Sequence, residues 1–295
     1  MREDSSNSIR EALKSAVREG KAPDETSYRK LSLEAEQALA AKFSCSMKDI
    51  EIIALENNII PERYQRSLGT VGGEQGQLRL LKSCVGVVGL GGLGGLAGEL
   101  LARMGVGSLV LVDGDTYSES NLNRQLLSLQ ENLGQKKAAV ARERIKQVNS
   151  AVEMKVYEEY ITKSNVDDLI DSCQVVVDCL DNLKTRFLLQ ESCARKNAAL
   201  VHGAIAQFYG QVTTILPGDK GLLAIYGAYK EEMNKGIEKQ LGNPATTPAL
   251  VASLQVQEVL KVLLNKGTLL RNRLLYIDTL DGNCEQVQLA FENDK

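Results

Sequence analysis

The residues Gly89-Leu90-Gly91-Gly92-Leu93-Gly94 form a loop suited to close approach by a phosphate. They follow the apolar run Cys84-Val85-Gly86-Val87-Val88 and open a helix expected over 92–104, so the unpaired N–H groups of its first turn face whatever sits at the bend. Gly89 allows the tight turn, Gly91 lets backbone come near a phosphate, and Gly94 lets the helix pack on the strand. About twenty residues further on, a second strand, Ser108-Leu109-Val110-Leu111-Val112, ends in Asp113, whose carboxylate can take the hydroxyl pair of a ribose. A nucleotide site is implied. The loop and the acid fit an NAD-dependent dehydrogenase as well as any other nucleotide enzyme, so the choice rests on the residues beyond Asp113.

Those residues are amide-rich and basic. Asn121, Arg124 and Gln125 lie in a polar loop at the carboxyl ends of the strands, where open α/β sheets bind ligands. Gly134-Gln135-Lys136-Lys137 then opens a helix expected to run to about residue 148. A dehydrogenase needs at most one positive group around its pyrophosphate. Arg124 and Lys137, joined by Arg66 from Arg63-Tyr64-Gln65-Arg66, bring enough charge for a triphosphate. Asp181, just past the apolar strand 174–179, faces the same edge and suits a Mg²⁺ ligand that bridges phosphates. The alternative for Asp181 is the N-cap of a helix over 182–196. Asp178, inside the strand, is read as structural, and His202, the lone histidine, as packed near the sheet end.

The elements that must hold these groups alternate in type. Strands expected over 84–88, 108–112, 152–156 and 174–179, with helices over 92–104, 134–148, 165–172 and 182–196 between and after them, give an α/β fold with a Rossmann-like, mostly parallel sheet. Strands over 200–204 and 211–216 form an antiparallel C-terminal extension, with further strands over 273–278 and 285–289 after a helix over 249–264. The intervening 217–248 shows little periodicity and is read as a long crossing segment.

Residues 1–60 read as a small helical N-terminal module without strand runs, and 61–295 as the nucleotide-binding domain. In the module Ile9, Leu13 and Val17 share one helical face, as do Leu31, Ala35 and Leu39. Ser46 and Asp49 form a helix-start signature, and Pro61 closes the module. Arg63 and Arg66, three residues apart, are expected to share a helix face.

Composition narrows the function classes. With 295 residues, 43% hydrophobic and 25% charged, the chain reads as an ordinary globular protein. Its 35 basic and 38 acidic residues give a net charge of −3, which argues against a dedicated nucleic-acid or membrane surface. No apolar run reaches about eighteen residues and the first residues carry no apolar signal core, so a cytoplasmic protein is expected. Cys45, Cys84, Cys173, Cys179, Cys193 and Cys284 include no C-x-x-C pair and are read as buried or incidental thiols. Cys173 and Cys179, at opposite ends of a strand, stand about 20 Å apart and cannot share a metal or a disulfide.

The ordered set of strand, Gly-x-Gly-Gly-Leu-Gly, strand with Asp113, Asn121-Leu122-Asn123-Arg124-Gln125, Gly134-Gln135-Lys136-Lys137 and Leu180-Asp181-Asn182 resembles the ThiF, MoeB and HesA family, related to the ubiquitin-activating enzymes. The resemblance covers about 61–290, and by it 61–295 is an ATP-binding adenylation domain. It implies a homodimer that uses MgATP to adenylate the C-terminal glycine of a ubiquitin-like sulfur carrier of the ThiS or MoaD type, ending in Gly-Gly. By the same resemblance Asp113 holds the ribose, Asn121, Arg124, Gln125 and Lys137 hold the phosphates, Asp181 ligates Mg²⁺, and Arg66 reaches into the partner subunit's site. The chain departs from the family pattern in two places. The paired C-x-x-C motifs that bind structural zinc in many members are missing, so zinc is not expected. Residues 217–248 contain no cysteine, so adenylation is expected without a later covalent step on that loop; Cys179, the thiol nearest the site, is read as a buried strand residue. Two other readings stand beside this one: a nucleotide-binding scaffold that recognises a ubiquitin-like partner without turnover, and an NAD-dependent oxidoreductase.

Overall fold

Runs of apolar residues too continuous for a half-exposed strand must be covered on both faces, and in this chain they become neighbours in one sheet. The computed structural model describes residues 3–21, 27–231 and 242–289. A small sheet contains β1 (Arg18–Lys21), β2 (Ser27–Leu31) and β3 (Ile59–Pro61). The large sheet contains β4 (Cys84–Val88), β5 (Ser108–Val112), β6 (Glu153–Tyr157), β7 (Val175–Asp178), β8 (Ala199–Ala206), β9 (Tyr209–Ile215), β10 (Arg273–Asp278) and β11 (Asn283–Gln288). Its strand order is β11-β10-β9-β8-β7-β4-β5-β6. The half from β8 to β6 is parallel, and β8 through β11 pair antiparallel, so the expected Rossmann-like sheet with an antiparallel extension is present.

Register places the site. Val88 pairs with Val112 on one side and with Asp178 on the other, and Val112 pairs in turn with Tyr157. The segments that leave these four strands therefore emerge level with one another, which brings Gly89, Asp113, Glu159 and Cys179 to one edge. Val87, Leu101, Leu111, Val177 and Val259 are fully buried in the main core between the sheet and the helices Gly94–Arg103 and Thr246–Leu264. The second of these helices has 19 residues at mean hydropathy 1.2, long and apolar enough to cross a membrane by length and composition alone. Here it packs across β8, β9 and the glycine-loop helix as a core element. It begins at Thr246, three residues earlier than the periodicity predicts, with Pro248 accommodated in its first turn. The helix expected over 165–172 shrinks to Val166–Leu169.

The N-terminal region corrects the sequence reading, because it carries a sheet as well as helices Glu3–Ala16, Leu33–Phe43 and Met47–Glu56. β1 and β2 are antiparallel and β3 lies parallel to β2. β1 reads Arg-Glu-Gly-Lys and has no fully buried residue, so no apolar alternation marks it as a strand. Leu31 is fully buried as expected, but on β2, not on a helix face with Ala35 and Leu39. Ile9 and Leu13 are buried together, and Ser46 with Asp49 makes the reciprocal cap that the sequence predicts.

Arg63 and Arg66 do not share a face, since residues 62–64 form a single 3₁₀ turn. Arg66 is exposed, whereas Arg63 turns inward to Glu36 of the small module and Asn149 of the large sheet's flank, with Glu51 at 3.4 Å. Tyr64, fully buried, donates to Glu51 at 2.9 Å and accepts from Asn149 at 2.9 Å. One guanidinium thus faces two buried carboxyls, and the remaining oxygens, Glu36 Oε1 and Glu51 Oε1, have no other hydrogen-bond partner. Burial pushes the Glu36 carboxyl up to about 8, with Arg63 opposing, and burial raises Glu51 as well. A carboxyl whose folded value exceeds its unfolded value near 4.5 stabilises fully below that lower value and loses the contribution as pH rises toward about 8. The melting temperature is therefore expected to fall between pH 5.5 and pH 8. Glu36→Gln, neutral throughout, should flatten that slope by raising the midpoint mainly at pH 8. An unchanged slope in the variant, read by circular dichroism, contradicts the assignment.

Candidate functional site

The cleft at the carboxyl edge has a volume of about 240 Å³ and is walled by the glycine loop, the segments after β5, β6 and β7, and the loop carrying Arg124. The glycine loop is held in place by a carboxylate. Asp113 accepts from Leu90 N–H at 2.6 Å and from Asp115 N–H at 2.7 Å, so each oxygen fixes one wall and keeps lone pairs for a ligand hydroxyl. Gly91, Gly92 and Leu93 line the cleft ahead of the helix Gly94–Arg103, whose first turn leaves their N–H groups without helical partners. Gly89 has φ +89°, and a Cβ on Gly94 would stand 1.8 Å from Gly89 O, so neither position admits a side chain without moving the loop.

Among the residues that the sequence singled out, Gly89, Gly91, Gly92, Asp113, Arg124, Gln125, Lys137 and Asp181 line the cleft. Gly94 lies just behind it as the packing residue. Asn121 is not in the lining: it is nearly buried, its Oδ1 accepts from Ser118 N–H at 3.0 Å, and its carbonyl accepts the N–H groups of Arg124 and Gln125. It frames the loop that presents those two side chains. Arg66 is also outside the lining.

The charged groups are arranged with one side free. Arg124 donates only to Ser120 O at 3.0 Å and Asn123 Oδ1 at 2.8 Å, so among the described residues its guanidinium faces no carboxylate. Lys137 is buried at the start of its helix and reaches Asp115 Oδ2 at 3.1 Å. Burial works against the Asp115 carboxylate, but hydrogen bonds from Tyr160 and Lys137 hold it below the usual range, so it stays ionised. Gln125 Oε1 is buried without a partner beside Gly91, a polar atom awaiting a donor.

Asp181 is not a helix cap. That role belongs to Asn182, whose Oδ1 accepts from Thr185 N–H at 3.0 Å, and Asp181 stays exposed at the cleft with only Asn182 Nδ2 at 3.3 Å. The turn that presents it is clamped from below. Asp178 Oδ1 accepts from Leu180 N–H at 3.0 Å, while Arg186 donates to Leu180 O and lies 3.8 Å from Asp178. The other oxygen of Asp178 meets His202 Nδ1 at 2.7 Å, and His202 Nε2 meets Tyr226 OH at 3.0 Å. His202 is fully buried and burial holds its ring below the ordinary histidine value, in keeping with the packed, structural role read from sequence.

Several lining residues carry no motif signal in the sequence: Asp115, Glu159, Tyr160, Arg186 and Asn243. Tyr160 is 63% exposed, with its ring against Gly114, where a Cβ would come within 2.8 Å. Asn243 ends the crossing segment, and its carbonyl accepts from Asn123 Nδ2 at 3.2 Å. The middle of the segment expected over 217–248 lies outside the described residues. The exposed and half-buried thiols fit the incidental reading, and the strand placement of Cys179 is what needs correction. Cys284 is exposed and Cys45, Cys84 and Cys179 are half-buried. β7 ends at Asp178, so Cys179 belongs to the turn beyond it and lines the cleft, although burial pushes its thiol well up and away from the nucleophilic form.

Among the described residues no group of three histidine, cysteine, aspartate or glutamate side chains is placed to hold a metal. An exposed carboxylate beside a phosphate cradle, as Asp181 is with Asp115 and Glu159 on the same cleft, suits Mg²⁺, which takes one or two carboxylates and fills its shell with phosphate and water oxygens.

The chain matches the model of the ThiF family over residues 64–295. It is 39% identical over 235 residues to the SAMP-activating enzyme E1 of Haloferax volcanii, covering 79% of this chain and 87% of that protein. It is 36% identical over 230 residues to the sulfur carrier protein adenylyltransferase of Thermus thermophilus, covering 75% and 84%. A crystal structure of E. coli MccB with ATP has the same fold at TM-score 0.66 and 21% identity, covering 86% of this chain and 82% of that one.

Proposed function

The chain belongs to the ThiF family, and from that premise we propose that it is an adenylyltransferase that uses MgATP to activate the C-terminal glycine of a ubiquitin-like sulfur carrier of the ThiS or MoaD type. The observation that carries the reading is the Arg124 guanidinium beside the glycine loop, which faces no carboxylate among the described residues, with Lys137 and the exposed Asp181 on the same cleft. A dinucleotide enzyme has no use for that set. ATP is the nucleotide, with its ribose on Asp113 and its phosphates along Gly91, Gly92, Arg124, Gln125 and Lys137. The carrier supplies a glycyl carboxylate, which is ionised near neutral pH and needs no general base. One of its oxygens attacks the α-phosphorus, a C–O–P anhydride forms, and the bond from the α-phosphorus to the bridging oxygen breaks to release pyrophosphate. Arg124, Lys137 and the N–H groups of the loop stabilise the negative charge that gathers on the α-phosphoryl and on the departing pyrophosphate. Mg²⁺, held by Asp181, supplies additional charge neutralisation across the phosphates when bound.

Arg66 supports a homodimeric site. Its neighbour Tyr64 packs beside Gly105, at the far end of the ten-residue glycine-loop helix. That helix is about 15 Å long and Arg66 is outside the cleft lining, which is consistent with Arg66 serving the cleft of a second copy. Mixing Arg66→Ala with Arg124→Ala, each inactive alone, is then expected to restore about a quarter of the wild-type sites, those in mixed dimers with one intact cleft. No recovery after subunit exchange, verified by a tag on one variant, removes Arg66 from the mechanism.

The reading places the protein in the cytoplasm, where ATP is supplied, at the start of sulfur delivery for thiamine or molybdopterin-type cofactor synthesis. Its product can be seen directly. Incubation with ATP, Mg²⁺, pyrophosphatase and a ThiS- or MoaD-type carrier ending in Gly-Gly should give the carrier acyl-adenylate by intact mass, and a carrier lacking the last glycine should give none. Nucleotide binding without any adenylate would instead favour the scaffold reading.

A further inference from the structure

The opposite edge of the sheet carries a second chemically competent group that the adenylation reading does not use. Cys84 begins β4, and its carbonyl accepts Gln174 N–H at 3.0 Å while its own N–H donates to Gln174 Oε1 at 3.0 Å. Cys173 is therefore one residue from the position directly across from Cys84. Adjacent parallel strands lie about 4.8 Å apart and one residue adds about 3.3 Å along the chain, so the two Cα atoms are separated by roughly 6 Å, the usual disulfide spacing. The two side chains also lie on one face of the sheet. Alternation puts Cys84 and Gly86 on one face of β4, and Cys173 Sγ lies 3.1 Å from where a Cβ on Gly86 would stand. The glycine inside this buried strand is what makes room for that sulfur. Ser172 Oγ lies 3.6 Å from Cys84 Sγ, and the nearness of Cys173 favours the Cys84 thiolate.

The two thiols differ in the way an attacking and a resolving sulfur must. Cys84 is half-buried and within reach of small solutes, whereas Cys173 is 6% exposed. The neighbouring Cys173 thiol outweighs burial and, with Ser172, Lys155 and Lys48, lowers the Cys84 thiol to about 6. Lys48 also pairs with Glu153 at 2.8 Å, so that carboxylate takes up part of its charge. Cys173 is correspondingly raised, first by Cys84 and then by burial, with Cys193 adding to the effect.

We propose that Cys84 and Cys173 are a redox-active dithiol, a modification site for a peroxide-class oxidant at the edge of the sheet opposite the nucleotide cleft. The Cys84 thiolate attacks one peroxide oxygen, the O–O bond breaks, and the departing hydroxide takes a proton to become water, leaving a sulfenic acid. The negative sulfur that held the Cys173 proton is then gone, which removes the main reason for its retention. Cys173 sulfur attacks Cys84 sulfur, the S–O bond breaks, and the Cys173 proton leaves with the hydroxyl as a second water. The net change is two thiols and one peroxide to one disulfide and two waters.

The test uses the full chain with Cys284→Ser, which silences the exposed thiol. After reduction and removal of reductant, stoichiometric hydrogen peroxide should remove two free thiols per chain, and peptide mapping should find Cys84 joined to Cys173. Cys173→Ser should stop at a Cys84 sulfenic acid that dimedone traps, and Cys84→Ser should keep its full thiol count. A disulfide through Cys193, or a thiol count unchanged by peroxide, overturns the proposal. A readout free of variants at the pair guards against misfolding: alkylation of Cys84 by iodoacetamide should change less than about threefold from pH 7 to pH 8, where an ordinary thiol still gains nearly tenfold. A nearly tenfold gain at Cys84 overturns the assignment of the attacking sulfur.

Discussion

Arg124→Ala is expected to lower carrier-dependent turnover by about two to three orders of magnitude, and Asp181→Ala by a similar factor, with both variants still folded. The size comes from where the charge develops. On the proposed reading the loop N–H groups and Lys137 still hold the phosphates of bound ATP in the variant, so losing Arg124 is expected to cost less in binding than in turnover. As the α-phosphoryl passes into its transition state and pyrophosphate departs, charge gathers where Arg124 has no competing carboxylate to neutralise it. Removal of an interaction made mainly in the transition state lowers kcat and kcat/KM together. Stability is expected to change little, because among the described residues Arg124 is tied only to Ser120 O and Asn123 Oδ1 and Asp181 only to Asn182. Arg124→Lys should recover only part of the loss, since an ammonium cannot reproduce the guanidinium fork. Turnover within about threefold of wild type in both alanine variants, measured alongside melting temperature, contradicts the assignment.

Gly94→Ala is the second substitution with a large expected effect, and it acts by a different route. The added methyl would lie 1.8 Å from Gly89 O and 3.2 Å from Val87 Cγ1, inside the turn that shapes the cradle. Neither neighbour is the end of a flexible chain, so the loop itself must move. Overpacking of this kind costs about 1–3 kcal/mol of stability. The displaced backbone also loses its aim at the phosphates, and ATP affinity is expected to fall more than tenfold. Gly92→Ala offers the comparison, because its methyl would meet nothing nearer than Pro248 Cβ at 3.4 Å, with Arg124 at 3.8 Å, and should cost far less stability. Calorimetry on the pair checks both statements, and equal destabilisation by the two changes would show that the turn is more compliant than its geometry implies.

The parts of the chain that can be read from sequence are those whose physics is local. β4 and β5 coincide with their expected bounds, because each is a β-branched apolar run ended by a turn or an acid. β1 cannot be read, since Arg-Glu-Gly-Lys is an exposed edge whose pairing with β2 is decided by tertiary contact. Arg63 shows the same limit from the other side: nothing in Arg63-Tyr64-Gln65-Arg66 reveals that Glu36 and Glu51, far back in the chain, fold onto one arginine and leave the other exposed. In the site, most residues with motif spacing come together at the cleft. Tyr160 and Asn243 give no such signal, because their place depends on where β6 ends and where the crossing segment returns. Cys84 and Cys173 stand far apart in the chain, and only the pairing of β4 with β7 makes them neighbours.

The most direct test of the central claim is ATP–pyrophosphate exchange, run with Mg²⁺ and with or without a ThiS- or MoaD-type carrier ending in Gly-Gly. Label from pyrophosphate should enter ATP only when the carrier is present and its terminal carboxylate is free, because exchange requires reversal of the anhydride-forming step. If ATP binds in the cleft and no carrier of this type supports exchange, or if exchange proceeds equally well without one, the protein is not a carrier adenylyltransferase.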